Sequence, residues 1–191
     1  MKEIIFVTGN EGKKKSALKH LSNVSLTYED YGFIEPDIND IELIAREKVL
    51  YAYEKSKKPC IALDAGFYIP AFPGKSNFPG AFPKRELLDK IGIDGLLEIM
   101  KKVEDRSCYF KECLAYYDGN EVRYFYGISS GTISREIKGT DSNQKWSDLW
   151  YIFIPKYYEK TMAEMTEEER ANRKGNSSAL QNFSKWLESQ N

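Results

Sequence analysis

The opening stretch of the chain constrains its fold more than any other. Ile4-Ile5-Phe6-Val7 is an apolar run that breaks into Thr8-Gly9-Asn10-Glu11-Gly12, after which Ala17, Leu18 and Leu21 recur at helical spacing. A short apolar run bounded by turn residues suits a buried strand, and the helical period behind it suits a helix packed on that strand. Strand, tight turn and helix in this order open an α/β fold. The pattern then repeats. From Asp40 an amphipathic stripe runs through Ile41, Ile44, Ala45, Val49 and Ala52 to the breaker Lys57-Lys58-Pro59. Cys60-Ile61-Ala62-Leu63 follows as a buried strand predicted to end at Asp64-Ala65-Gly66.

The rest of the chain is consistent with that class. Pro70, Pro73, Pro79 and Pro83, with Gly74 and Gly80, forbid a helix or a central strand and predict an extended loop over 70–83. A helix is predicted over 84–102. Ser107–Tyr117 and Glu121–Ser134 flank the turn Asp118-Gly119-Asn120 and form a long hairpin rich in Tyr, Phe and Val. A strand is predicted over 150–154, and helices over 166–170 and 178–187. With 191 residues, 41% of them hydrophobic, and no linker or repeat, the chain reads as one domain over 1–191 with one sizeable core and a mixed sheet.

Several functions are excluded at this level. Lys and Arg number 28 against 29 Asp and Glu, a net charge of −1, which argues against wrapping a long nucleic acid. No apolar run approaches the roughly 20 residues that span a bilayer, and the N-terminus lacks a signal-peptide pattern, so a soluble cytoplasmic protein is expected. Cys60, Cys108 and Cys113 are too few for a disulfide framework and are expected as buried thiols. His20 is the only histidine and is expected at the surface, which leaves no multi-histidine zinc site.

The residues suited to chemistry are lysines and carboxylates. The turn at 8–12 hands a strand over to a helix, so its backbone N–H groups and the helix dipole favour an anion, and Lys13 adds a positive charge. It is neither a Walker A loop nor a dinucleotide fingerprint, since neither set of glycine positions is met. Asp64, next to two small residues, would hold a metal or orient a water, or else bond its own backbone as a turn aspartate. Lys48, at the edge of the amphipathic stripe, reaches outward on an apolar stem. Glu35, Asp37 and Asp40 precede that helix as caps, or as hard oxygen ligands for Mg²⁺. Lys84 leaves the proline loop. Together they describe a magnesium–polyphosphate site.

These motifs resemble those of the inosine triphosphate pyrophosphatase family. Thr8-Gly9-Asn10-Glu11-Gly12-Lys13 is similar to its TGNxxK opening, Leu63-Asp64-Ala65-Gly66-Phe67 to its D-S-G-hydrophobic motif, and Asn77-Phe78-Pro79-Gly80 to its G-x-PG turn. Ile152-Phe153-Ile154-Pro155 and Tyr158 to Met165 resemble its IFIP…EKTFAEM stretch. The resemblance implies an elongated mixed sheet flanked by helices, in two lobes around a nucleotide cleft, and a homodimer. It implies Mg²⁺-dependent cleavage of a nucleoside triphosphate to monophosphate and pyrophosphate, with Mn²⁺ as an alternative metal. Carried over, Thr8, Asn10, Lys13, Lys48 and Lys84 contact substrate, Asp64 is catalytic and a metal ligand, and Glu35 is the second metal ligand. Such a reaction needs charge neutralisation and in-line positioning rather than a covalent nucleophile.

Three departures fall mainly in base recognition. Ser16 stands where the family's motif ends in an acid. Leu149-Trp150-Tyr151 replaces an aromatic-Asp segment, with Asp148 two positions away, and Trp146 and Trp150 either stack on a base or belong to the core. Lys174-Gly175-Asn176 replaces a Ser-His-Arg motif, and lysine lacks the planar fork of arginine. These losses imply altered base specificity, or an impaired relative that binds a nucleotide as a sensor or accessory protein. Single-stranded nucleic-acid binding on the aromatic hairpin ranks last, because Glu112, Asp118 and Glu121 surround it.

Overall fold

The computed structural model describes residues 2–140 and 147–190. Trp146 lies outside the described residues. In chain order the elements are β1 (Lys2–Val7), α1 (Glu11–His20), β2 (Val24–Glu29), α2 (Ile41–Ser56), β3 (Cys60–Ile69) and β4 (Phe78–Gly80). A π-helical segment (Pro83–Leu88), α3 (Gly92–Ile99) and a 3₁₀ turn (Met100–Lys102) follow. The chain then forms β5 (Ser107–Tyr117), β6 (Arg123–Ile133), a second 3₁₀ turn (Asp148–Tyr151), β7 (Phe153–Pro155), α4 (Glu167–Ala171) and α5 (Ala179–Glu188). The strands form a mixed sheet in the order β2-β1-β3-β5-β6-β7, with β4 added antiparallel to β3. β1 lies parallel to both β2 and β3. The α/β class with a mixed sheet is as expected. No helix among the described residues is long and apolar enough to cross a membrane.

The chain divides into two compact units and crosses between them after Ala65, Lys111, Gly127 and Asn176. The first comprises Met1–Ala65, Glu112–Gly127 and Ser177–Asn191; the second comprises Gly66–Lys111 and Ile128–Asn176. Each has its own apolar core, where composition suggested a single one. In the first, Ile4 and Phe6 of β1, Ala17 of α1 and Leu21 at its C-terminal end, Ile61 and Leu63 of β3, and Leu180 and Phe183 of α5 pack together. In the second, Phe67, Leu87, Leu96, Cys108, Ile133 and Phe153 do so. The predicted stripe of α2 is buried at all five positions, and Asp40 caps that helix by accepting from the N–H groups of Glu42 and Leu43. The three cysteines are buried free thiols.

Several local expectations are corrected. β3 does not end at Asp64 but continues to Ile69, because its second half pairs with β4, a strand inside the segment expected to be only loop. The helix expected over 84–102 is broken in three, since Gly92 adopts φ 74° and separates the π-helical segment from α3. The strand expected over 150–154 begins as a 3₁₀ turn and becomes β7 only at Phe153. Leu18, assigned to the buried face of α1, is exposed, and His20 is half-buried rather than a surface residue. β2 was not expected, although Val24, Leu26 and Tyr28 alternate with Ser25, Thr27 and Glu29 as a half-buried strand requires.

The β3–β4 pairing depends on a missing side chain. A Cβ on Gly66 would lie 2.7 Å from the carbonyl oxygen of Gly80 and 2.7 Å from the Tyr68 ring. The carbonyl belongs to a backbone held in register and cannot yield cheaply. Gly66→Ala is expected to destabilise the protein by roughly 1–3 kcal/mol through overpacking, read as a lowered urea midpoint. A midpoint equal to that of the wild type would show that β4 tolerates the displacement.

Candidate active site

β1 ends at Val7, and the turn Thr8-Gly9-Asn10 leads directly into α1. The turn is organised by its own side chains. Thr8 Oγ1 accepts from the Asn10 N–H at 3.1 Å, and Asn10 Oδ1 caps α1 by accepting from the Lys13 N–H at 3.0 Å. Gly9 has no heavy atom within 4 Å of the position a Cβ would take, and its backbone is not left-handed. Neither crowding nor conformation therefore requires glycine there. What its missing side chain provides is access to the backbone of the turn, next to the positive end of α1.

Asp64 lies in the middle of β3, in contact with lysines of α1 and α2 rather than with the turn itself. Alternation along the strand puts Ile61 and Leu63 into the first core and turns Asp64 to the opposite face. It is only 8% exposed, and burial of a carboxylate demands compensation. Lys48, two turns into α2, donates to Asp64 Oδ1 at 2.8 Å and to Glu35 Oε1 at 2.5 Å. Lys13 donates to the Leu63 carbonyl at 2.6 Å and lies 3.9 Å from Asp64 Oδ1. Asp64 Oδ2 is buried and has no hydrogen-bond partner. The two ammonium groups respond differently to this setting. Burial lowers the pKa of Lys13, and the attraction of Asp64 only partly offsets it. Burial acts in the same direction on Lys48, but the charge of Asp64 and the hydrogen bonds to Asp64 and Glu35 outweigh it, so its pKa is raised.

Thr8, Asn10, Lys13, Glu35 and Lys48, together with Phe33, line one cavity of about 230 Å³. The structure thus brings Glu35, expected as the second metal ligand, onto Lys48. Phe33, whose ring lies 5.5 Å from that of Tyr51, was not singled out; the Tyr31-Gly32 turn before it, with φ of 53° and 63°, was the available signal. Lys84 is exposed in the π-helical segment of the second unit. Trp150, also in the second unit, packs against that unit's core, with the Arg170 guanidinium 5.4 Å from its ring centre. Asp40 serves as the α2 cap. The aromatic residues of the β5–β6 hairpin are largely used internally: Tyr116 and Phe125 pack on Phe183, Phe110 packs on Phe67 and Phe153, and the Tyr126 hydroxyl donates to Glu42.

The residues present fit a divalent cation of the Mg²⁺ type. Such an ion takes one or two carboxylates and completes its shell with water and substrate phosphates. Asp64 Oδ2 is an unsatisfied buried acceptor, and Glu35 shares with Asp64 the one ammonium of Lys48. No group of three or more His, Cys, Asp or Glu that could hold a metal occurs among the described residues, so a site built from protein ligands alone is not present there.

Comparison with known proteins identifies the family and relatives of the chain. Residues 4–186 match the model of the Ham1 family. The chain is 33% identical over 190 residues to the dITP/XTP pyrophosphatase of Saccharolobus solfataricus, covering 96% of this chain and 92% of that one. It is 32% identical over 191 residues to the dITP/XTP pyrophosphatase of Methanosarcina mazei, covering 98% of each. Among solved structures, a HAM1 protein from Coxiella burnetii superimposes with a TM-score of 0.83 at 23% identity, over 99% of this chain and 100% of the other. The Staphylococcus aureus Ham1 protein gives a TM-score of 0.81 at 22% identity, over 100% of both chains.

The shared carboxylate makes the two lysines unequal in stability. Lys48→Met would leave Asp64 buried with only Lys13 at 3.9 Å, and is expected to cost about 3 kcal/mol, the low end for breaking a buried pair. Lys13 binds fewer protons folded than unfolded just below the ordinary lysine pKa of about 10.4, so it makes stability rise with pH there. Lys48 acts in the opposite sense, and its contribution is lost only as pH rises through its raised value. Urea midpoints measured between about pH 8 and 11 should therefore lose their rising component in Lys13→Met, whose stability at neutral pH equals or exceeds that of the wild type. A large destabilisation by Lys13→Met would contradict this assignment.

Proposed function

Because the chain belongs to the Ham1 family, we propose that it is a Mg²⁺-dependent nucleoside triphosphate pyrophosphatase with altered base specificity, acting as a homodimer. The observation that carries the reading is Asp64: a buried carboxylate with one oxygen unsatisfied and the other held by Lys48, which lines the same cavity as the open turn Thr8-Gly9-Asn10. The sequence relatives described as dITP/XTP pyrophosphatases support the reaction class. The departures at Ser16, Trp150 and Lys174-Gly175-Asn176 support the change in specificity.

In this reading the Gly9 N–H and the N-terminal end of α1 receive phosphate oxygens, with Thr8 and Asn10 keeping the turn in shape through their own hydrogen bonds. Lys13 and Lys48 neutralise the triphosphate. The new bond forms between a water oxygen and the α-phosphorus, and the bond from that phosphorus to the α,β-bridging oxygen breaks. Nucleoside monophosphate and pyrophosphate leave. Asp64 orients the water and accepts its proton, because the carboxylate has an oxygen free to do so. Mg²⁺, when held by Asp64 and Glu35, supplies further charge neutralisation on the phosphates. Lys48 keeps the two carboxylates together, so that neither has to be recruited. The two units act as one functional domain, because the chain passes repeatedly from one to the other and neither is a contiguous segment.

The test is pyrophosphate release from a panel of purine and pyrimidine triphosphates with Mg²⁺ or Mn²⁺. Turnover of at least one triphosphate is expected, falling by more than about a hundredfold in Asp64→Asn. Gly9→Ala should leave stability unchanged but raise KM, because only substrate needs the space. Undiminished activity in Asp64→Asn would remove the role given to that residue, and tight binding without turnover across the panel would identify an impaired relative instead.

A further inference from the structure

We propose that the first unit by itself binds and cleaves inorganic tripolyphosphate, a linear polyphosphate without sugar or base, at the cavity lined by Thr8-Gly9-Asn10, Lys13 and Lys48. Every group this requires belongs to that unit. The turn after β1, Lys13 of α1, Lys48 of α2 and Asp64 of β3 all lie within Met1–Ala65. The cavity measures about 230 Å³, below the roughly 300 Å³ at which pockets for drug-sized organic ligands begin. Its wall offers two ammonium groups, the open backbone of Gly9 and the positive end of the ten-residue α1. A chain of phosphates needs these features and no more, because it is recognised by charge and by hydrogen bonds to its oxygens.

The carboxylates of the wall are already engaged. Glu35 Oε1 accepts from Lys48 at 2.5 Å, and Asp30 Oδ1 accepts from the Gly32 N–H at 3.0 Å. Lys13 is paired less closely, since it donates to the Leu63 carbonyl and its nearest approach to Asp64 is 3.9 Å. Its charge is therefore the one least neutralised inside the cavity. The aromatic residue of the wall, Phe33, packs its ring on that of Tyr51, with centroids 5.5 Å apart. The reacting groups are those of the pyrophosphatase reading, on which the cleavage step rests. A terminal phosphorus of tripolyphosphate takes the place of the α-phosphorus, with an oxygen where the nucleoside would be. A water oxygen bonds to that phosphorus, and the bond from the phosphorus to its bridging oxygen breaks with the electron pair staying on the oxygen. Pyrophosphate leaves, orthophosphate remains, and the proton of the water passes to Asp64, whose Oδ2 has no hydrogen-bond partner. Pyrophosphate is the leaving group of this step and not its substrate.

The experiment incubates the full-length protein with inorganic tripolyphosphate and Mg²⁺ and measures orthophosphate and pyrophosphate separately by phosphorus NMR. Equal amounts of the two are expected at completion. Asp64→Asn should cut tripolyphosphate more than about a hundredfold more slowly yet still bind it in a calorimetric titration. Lys13→Met, whose folding is checked by its urea midpoint, should raise KM at least about tenfold, the loss of one charge-assisted hydrogen bond. Lys101→Met, which removes an exposed lysine of the second unit, should leave KM within about twofold. Intact tripolyphosphate in the presence of a protein that turns over a nucleoside triphosphate would overturn the proposal and leave the pyrophosphatase reading standing. Three orthophosphates per tripolyphosphate, or an unchanged KM in Lys13→Met, would overturn it as well. Cleavage of tripolyphosphate without turnover of any nucleoside triphosphate would support the proposal and count against the nucleotide as substrate.

Discussion

The pairing of Asp64, buried in the middle of β3, with Lys48 is the contact on which the rest of the first unit's site depends. The carboxylate is 8% exposed, and removing an ionised group from water is costly unless it is paired and hydrogen-bonded. The ammonium arrives because of how α2 is seated. Ile41, Ile44, Ala45, Val49 and Ala52 bury one stripe of that helix, Asp40 sets its first turn, and Lys48 falls at the margin of the stripe with its stem against apolar neighbours. From there one nitrogen reaches both Asp64 and Glu35. The same carboxylate also draws Lys13 of α1 to within 3.9 Å. Two helices and the loop before α2 are thereby referred to one strand position, and the apolar pattern of each element determines whether the charges meet.

This explains why the site was legible in residue types before it was legible in space. Lysine stems at stripe margins and carboxylates near strand and helix ends are readable from periodicity, so Lys13, Lys48 and Asp64 stand out. Glu35 was named from its place before α2 and from the family resemblance, but it lies in an irregular segment whose path no periodicity describes, and only the fold shows its hydrogen bond to Lys48. Asp64 was expected at a strand end for a related reason. Asp-Ala-Gly reads locally as a turn, yet the strand runs on because β4 pairs with its second half. Pairing between distant segments is a tertiary fact, and it overrides local preference more readily in strands than in helices.

The breaks in the second unit follow the same division. Gly92 was visible as a glycine, but whether an isolated glycine is tolerated in a helix or ends it depends on its backbone angle, which only the fold supplies. The alternation in β2 was visible too, though six residues with polar partners carry a weaker signal than the apolar runs of β1 and β3. Where strong periodicity and capping coincide, as in α2, element and register were both readable.

Glycines separate the two kinds of constraint most clearly. Gly66 is demanded by the chain itself, since a side chain there would strike the Gly80 carbonyl, and Gly175 is demanded by the ring of Tyr157. Gly9 is demanded by neither contact nor backbone conformation, for its surroundings are open. A residue type that weakens local order would gain nothing at such a position from the fold alone. The open space in front of Gly9, bounded by Lys13, Lys48 and Glu35, is therefore better explained by an incoming anion than by folding.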